Sequence, residues 1–214
     1  AKYNVVAVVT APDAPVGRRH VVAPSPIANA AQELELTILT PATLKDDAFF
    51  EQFKNLAPTV SIVAAYGKII PKKYFDILKH GFVNIHPSLL PKYRGPSPIQ
   101  SAIAAGEKET GVSIILIDME VDHGPIIKVK SEKLSSEKYY PEITQQLAEL
   151  GANLLIEALP DYLAGKITPQ EQDHSQATFT KKVTIEDGRI NWNQPAETIY
   201  NKIRAYNPEP GTWT

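Results

Sequence analysis

Asn84 and His86 stand two residues apart in the run 81–86, which closes at Pro87. In an extended strand such residues share a face, so both side chains aim at one point at the strand's carboxyl end, where open α/β sheets bind their ligands. An amide that donates hydrogen bonds beside a titratable imidazole suits acyl transfer. The tetrahedral intermediate carries an oxyanion, and protons must pass from an attacking amine to a leaving one. An Asn-x-His pair can equally do no more than satisfy nearby backbone groups, and spacing alone leaves that alternative open.

A carboxylate would complete the set, and Asp122 lies in Glu120-Val121-Asp122-His123-Gly124-Pro125, after the strand-like run 111–117. If that strand runs parallel to 81–86, Asp122 falls on the same side of the sheet, where it can orient His86 and relay a proton. The alternative is an ordinary turn aspartate two residues before a glycine. One histidine and two acids here lack the ligand spacing of a metal site, so no metal is expected. A second surface is the loop 13–20, with Arg18, Arg19 and His20 beside Gly17. Adjacent arginines can hold phosphates through bidentate, charge-assisted bonds, or simply form a solvated loop tip. Lys92, Arg94, Lys68, Lys72 and Lys73 are further candidates for positive potential near a cleft mouth.

The elements that must carry these groups alternate between strand and helix patterns. Residues 5–9 and 60–64 are apolar runs rich in β-branched residues, as expected of strands covered on both faces. Helical spacing is read over 25–36, opened by Ser25-Pro26 as N-cap and first helical position, and over 43–56. Shorter helical stretches over 72–78 and 98–106 precede the strands 81–86 and 111–117. This order predicts an α/β fold: an open, mostly parallel, Rossmann-like sheet flanked by helices. Residues 126–130 follow a tight Gly-Pro turn, too soon for a helical crossover, and predict an antiparallel partner. A long amphipathic helix is expected over 140–164. Beyond Gly165 the chain turns polar, resembling an extended strap, before a last helix over 196–206 that Asn207-Pro208 stops.

At 214 residues and 43% hydrophobic content the chain can bury one sizeable core. Its net charge of −2 gives no global attraction to nucleic acid, so a polyanionic partner needs a local patch. The absence of cysteine excludes disulfides, thiolate metal sites and cysteine nucleophiles. The longest apolar runs are too short for a bilayer and the amino end has no signal-peptide shape, so a cytoplasmic protein is expected.

Asn84-Ile85-His86 followed by Ser88-Leu89-Leu90-Pro91, with the later Val121-Asp122-x-Gly124, closely resembles the signature of the folate-dependent formyltransferases. The resemblance implies the formyltransferase fold, with Asn84, His86 and Asp122 as the catalytic set. It implies 10-formyltetrahydrofolate as formyl donor, a folate site lined by Ser88, Leu89, Leu90 and Pro91, and no metal. With less specific support it adds Ile69, Ile70, Glu120 and Val121 to that site.

Three features resemble the branch of the family that acts on methionyl-initiator tRNA: the basic loop with Arg18, the segment 94–103 after the motif, and the segments 186–192 and 203–208. The expectation is formyl transfer to the free amine of methionyl-initiator tRNA in translation initiation, with Arg18, Arg19 and His20 on the tRNA, by a monomer away from membranes. The alternative acceptor is a small phosphorylated amine such as glycinamide ribonucleotide, with the two arginines as phosphate site. The expected organisation is a catalytic domain over 1–165 lacking its amino-terminal strand, a linker strap over 166–194, and the start of a C-terminal tRNA-binding domain over 195–214.

Overall fold

The computed structural model describes residues 3–16 and 20–214, so Arg18 and Arg19 lie outside the described residues. The chain divides into two compact units, Ala1–Ser61 with Ala65–Gly81, and Ile62–Ala64 with Phe82–Thr214.

In the first unit, β1 (Val8–Val9) leads into a hairpin of β2 (Ala14–Val16) and β3 (Val21–Ala23). Residues 14–16 of the segment 13–20, read as a loop, are thus a strand of an antiparallel pair. α1 (Pro26–Glu33) starts as Ser-Pro predicts: Ser25 Oγ accepts from the Ala28 N–H at 3.1 Å, and Pro26 begins the helix without needing a donor. β4 (Ile38–Leu39) pairs in parallel with β1. α2 (Asp47–Asn55), capped by Asp46, buries Phe49 and Phe53 around Tyr74, whose phenol donates to Leu44 O at 3.0 Å.

The second unit is a sheet in the order β5-β6-β7-β8 with three α-helices. Its strands are β5 (Ser61–Val63), β6 (Phe82–His86), and then, after α3 (Pro98–Ala104), β7 (Glu109–Leu116) and β8 (Ile126–Lys133). α4 (Tyr140–Leu163) packs on β6, β7 and β8, and α5 (Ala196–Tyr206) packs on α3. The architecture is α/β, and β8 is antiparallel to β7 as its short connection requires. β6 and β7 are also antiparallel, whereas the helical stretch between them pointed to a parallel pair. α3 is only seven residues long, and the chain around it returns β7 alongside β6 in the opposite direction.

Val83, Val112, Ile114, Ile115 and Leu147 are almost fully buried and form the centre of this unit. Helix and sheet approach closely at Gly151: a Cβ there would stand 2.7 Å from Ile85 Cγ2 and 3.3 Å from Val112 Cγ1. Ile85 therefore faces α4, and strand alternation turns its neighbours Asn84 and His86 to the opposite face. Arg204 of α5 is 2% exposed and donates to the carbonyls of Ser135 and Lys138, tying that helix to the β8–α4 connection.

Candidate active site

β6 delivers Asn84 and His86 to one face at its carboxyl end, and Asp122 meets both. Asp122 Oδ2 lies 3.5 Å from His86 Nδ1, and Asn84 Nδ2 donates to Asp122 Oδ1 at 3.5 Å. Asp122 does not arrive by a parallel β7. His86 stands opposite Ser113 and Val83 opposite Leu116, so β7 ends beside the start of β6. The β7–β8 connection then doubles back: Leu116 N–H donates to Pro125 O and Ile117 N–H to Phe82 O. This returning loop carries Asp122 to the face that the parallel arrangement would have given it.

His86 is 4% exposed. Its Nε2 is 3.0 Å from the carbonyl of Tyr93, which can only accept, so Nε2 carries a proton and Nδ1 is the edge turned to Asp122. The turn 93–95 supplies the other half of the site. Gly95 N–H donates to Asp122 Oδ2 at 2.8 Å. Tyr93 has φ +61°, Asp122 φ +49° and Gly95 φ +102°, so three left-handed residues surround one carboxylate. Non-glycine residues hold such conformations only where their surroundings over-determine them, and such places cluster at functional sites. Tyr93 is anchored at its far end, where Oη donates to Glu107 at 2.6 Å. Burial, reinforced by that carboxylate, pushes the phenol well above its ordinary range, so it stays neutral.

The arrangement can hold a negative oxygen near Asn84 Nδ2 and a protonated imidazole, with a carboxylate at hand to take up a proton. A tetrahedral acyl-transfer intermediate demands these functions.

Of the residues expected to line a donor site, Ser88 and Leu90 are buried. Ser88 Oγ donates to Lys92 O at 2.7 Å, and Ser113 Oγ donates to Ser88 O while accepting from Leu90 N–H. These side chains build the turn 88–91, which ends in the cis Leu90-Pro91 bond. Leu89 lies against Gly111 of β7. Glu120 and Val121 are exposed on the returning loop, two residues and one residue before Asp122. Ile69, 92% exposed, and Ile70 belong to the first unit, as does exposed His20, whose φ is +50°. His123 turns to Asp118, to which Nδ1 donates at 2.6 Å, and its ring stacks on His174 with centroids 4.0 Å apart.

Residue patterns alone did not disclose the Tyr93 carbonyl, the Gly95 N–H, the contact of Gln172 with the Asp122 loop, or that of Arg94 with Gln172. The first two are backbone atoms. Gln172 sits in a polar strap whose composition carries no chemical signature; the one available hint was Arg94-Gly95 following the Ser-Leu-Leu-Pro turn.

Strands flanked by helices make this an α/β protein with an Asn–His–Asp cluster at a strand end, an arrangement suited to acyl transfer. The chain belongs to the formyl transferase family, whose model matches residues 1–159, while that for the formyl transferase C-terminal domain matches residues 182–214. Over its whole length it is 48% identical to a protein of Roseiflexus sp. (strain RS-1) named methionyl-tRNA formyltransferase, of which it covers 66%. It is 45% identical to the protein of the same name from Chloroflexus aurantiacus, of which it covers 69%. The chain thus spans about two thirds of these relatives' length. Among solved structures, HypX from Aquifex aeolicus in complex with tetrahydrofolic acid shares the fold at TM-score 0.69 and 21% identity, over 86% of this chain and 32% of that one.

Proposed function

We propose that the protein transfers a formyl group from 10-formyltetrahydrofolate to the free amine of methionyl-initiator tRNA, in translation initiation. The observation that carries the reaction is the convergence of Asn84 Nδ2, His86 Nδ1 and the Asp122 carboxylate within 3.5 Å contacts on one face of β6. The whole-length similarity to proteins named methionyl-tRNA formyltransferase supports the acceptor, and the tetrahydrofolate complex of a protein with this fold supports the donor. The donor set itself fits a formamide: an amide N–H and a neighbouring imidazole beside its oxygen, and a carboxylate for the proton released.

In the reaction, the methionyl nitrogen forms a bond to the formyl carbon, whose oxygen becomes an alkoxide. Asn84 Nδ2 and a protonated or proton-donating His86 stabilise that oxygen. Asp122 holds the imidazole and takes the proton shed by the attacking amine, directly or through a water. The bond from the formyl carbon to the folate nitrogen then breaks as that nitrogen gains a proton, and the formyl carbonyl is restored. Ser88, Leu89, Leu90, Pro91, Ile69, Ile70, Glu120 and Val121 are proposed to contact the formylated folate.

Arg18 and Arg19, outside the described residues, and His20 are proposed to contact tRNA phosphates. Residues 1–165 are read as the catalytic domain, 166–194 as a strap, and 195–214 as the start of a tRNA-binding domain, in keeping with the two family matches. No described helix is long and apolar enough to cross a membrane. The protein is proposed to work in the cytoplasm as a monomer.

The test is an acceptor competition with the full-length protein. Formyl transfer to methionyl-initiator tRNA in the presence of excess glycinamide ribonucleotide is the expected result. Transfer to the small phosphorylated amine alone would move the acceptor to that class. Arg18→Ala is expected to weaken tRNA binding and to flatten its dependence on salt by roughly one phosphate contact.

A further inference from the structure

We propose that Gln172 and Arg94 are positioning residues for formyl transfer: through them the polar strap fixes the loop that carries Asp122. This rests on the acyl-transfer reading of Asn84, His86 and Asp122, and extends it to residues outside the motif.

Gln172 is 5% exposed, and its amide spends every bond at one junction. Nε2 donates to Asp122 O at 2.9 Å and to Gly124 O at 2.8 Å, bridging the returning loop on both sides of His123. Oε1 accepts from Arg94 Nε at 3.1 Å and Nη2 at 2.7 Å. A guanidinium only donates, so it forces the amide oxygen towards itself and both amide hydrogens towards the loop. The orientation of Gln172 is therefore dictated by Arg94.

Arg94 is 3% exposed, yet among the described residues it forms no ion pair. Its guanidinium contacts Gln172 Oε1 and His174 Nδ1, both neutral acceptors. A buried cation without a carboxylate is costly, and a well-packed apolar residue would often serve stability better. What the arginine supplies is direction, applied to the amide that holds Asp122.

The strap also fastens the other half of the site. Arg94 N–H donates to Thr178 O, and Thr180 N–H returns a bond to Arg94 O. Thr178 Oγ1 accepts from Tyr93 N–H, and Thr180 Oγ1 accepts from Ser97 N–H. Tyr93 O and Gly95 N–H, the backbone groups that touch His86 and Asp122, belong to the segment so fastened. One strap thus holds both the segment that positions His86 and the loop that presents Asp122. Left-handed Asp122 has no helix or strand of its own to keep it there.

Gln172→Glu separates positioning from mere fastening. The carboxylate keeps an acceptor for Arg94, so the strap stays docked, but it removes both donors and faces the carbonyls of residues 122 and 124 with an oxygen. In the full-length protein the proposal expects kcat for formyl transfer to methionyl-initiator tRNA to fall about 10- to 100-fold, as for other displacements near 1 Å. The KM for 10-formyltetrahydrofolate should stay within about threefold and the Tm near that of the wild type. Gly95 amide hydrogen exchange, read by NMR without any substrate, should accelerate at least about tenfold.

Thr180→Val, isosteric and lacking the hydroxyl that serves Ser97, should lower kcat in the same direction by a smaller factor; it also covers the case in which Gln172→Glu does not fold. Wild-type kcat and wild-type Gly95 protection in the folded variants would overturn the proposal. So would a loss confined to KM. A wild-type protein that transfers no formyl group would instead overturn the reading of the reaction, while Gly95 exchange would still report on Gln172.

Discussion

Gly95 donates its backbone N–H to Asp122 Oδ2 at 2.8 Å, and the same oxygen is 3.5 Å from His86 Nδ1. One carboxylate oxygen is therefore fixed by a neutral backbone donor and offered to the imidazole from that fixed position. Oδ1 is left to Asn84.

Asp122→Asn tests whether charge or shape matters there. An amide can be oriented to accept from Gly95, so the loop keeps its anchor, but it can neither stabilise an imidazolium nor take a proton. The kcat for formyl transfer is expected to fall about 100-fold or more, with folate affinity changed by only a few-fold. Single-turnover kinetics with a parallel folate titration measures both.

Gly95→Ala should damage fold and site together. At φ +102° a side chain is strained, and a Cβ would stand 2.7 Å from the backbone oxygen of Thr180, which cannot swing aside. A loss of about 1–3 kcal/mol in unfolding free energy is expected by denaturant titration. The kcat should drop because the Asp122 anchor moves with the strap.

Asp187 gives the strap an acid-sensitive tie. The Lys181 ammonium, donating at 2.6 Å, and the Thr184 N–H and hydroxyl, each donating at 2.8 Å, hold its carboxyl down at about 2 from an ordinary 3.8. Because the folded value is the lower one, these contacts stabilise the fold above about pH 4 and lose their effect as pH falls towards 2. Asp187→Asn should therefore be less stable than the wild type at neutral pH, with the gap closing as pH approaches 2. Denaturant melts across that range read the difference; a constant gap would show that Asp187 acts through packing.

How far these features could be read beforehand depended on which atoms carried them. Strand alternation placed Asn84 and His86 on one face, and the structure shows them there, meeting Asp122. The Ser-Pro start of α1 was legible because a cap is local chemistry between residues three apart. The pairing direction of β6 and β7 was not, because a short helical stretch between two apolar strands looks alike whether the chain crosses over or turns back. β4 has two residues, too few for a periodicity to register. Backbone donors and acceptors such as Gly95 N–H and Tyr93 O leave no trace in residue type. Gln172 was hidden for the converse reason: in a stretch rich in Gln, Asp, His and Ser, nothing distinguishes the one amide that reaches the Asp122 loop.

The most direct test of the site is formyl transfer from 10-formyltetrahydrofolate to methionyl-initiator tRNA by the full-length protein, wild type against His86→Ala, with the folate dissociation constant measured alongside. The prediction is a fall in kcat of about 100- to 10,000-fold, with folate affinity within about threefold, because the imidazole acts mainly in the transition state. Turnover retained within a few-fold, or a loss confined to folate binding, would contradict the assignment of His86 and with it the catalytic set.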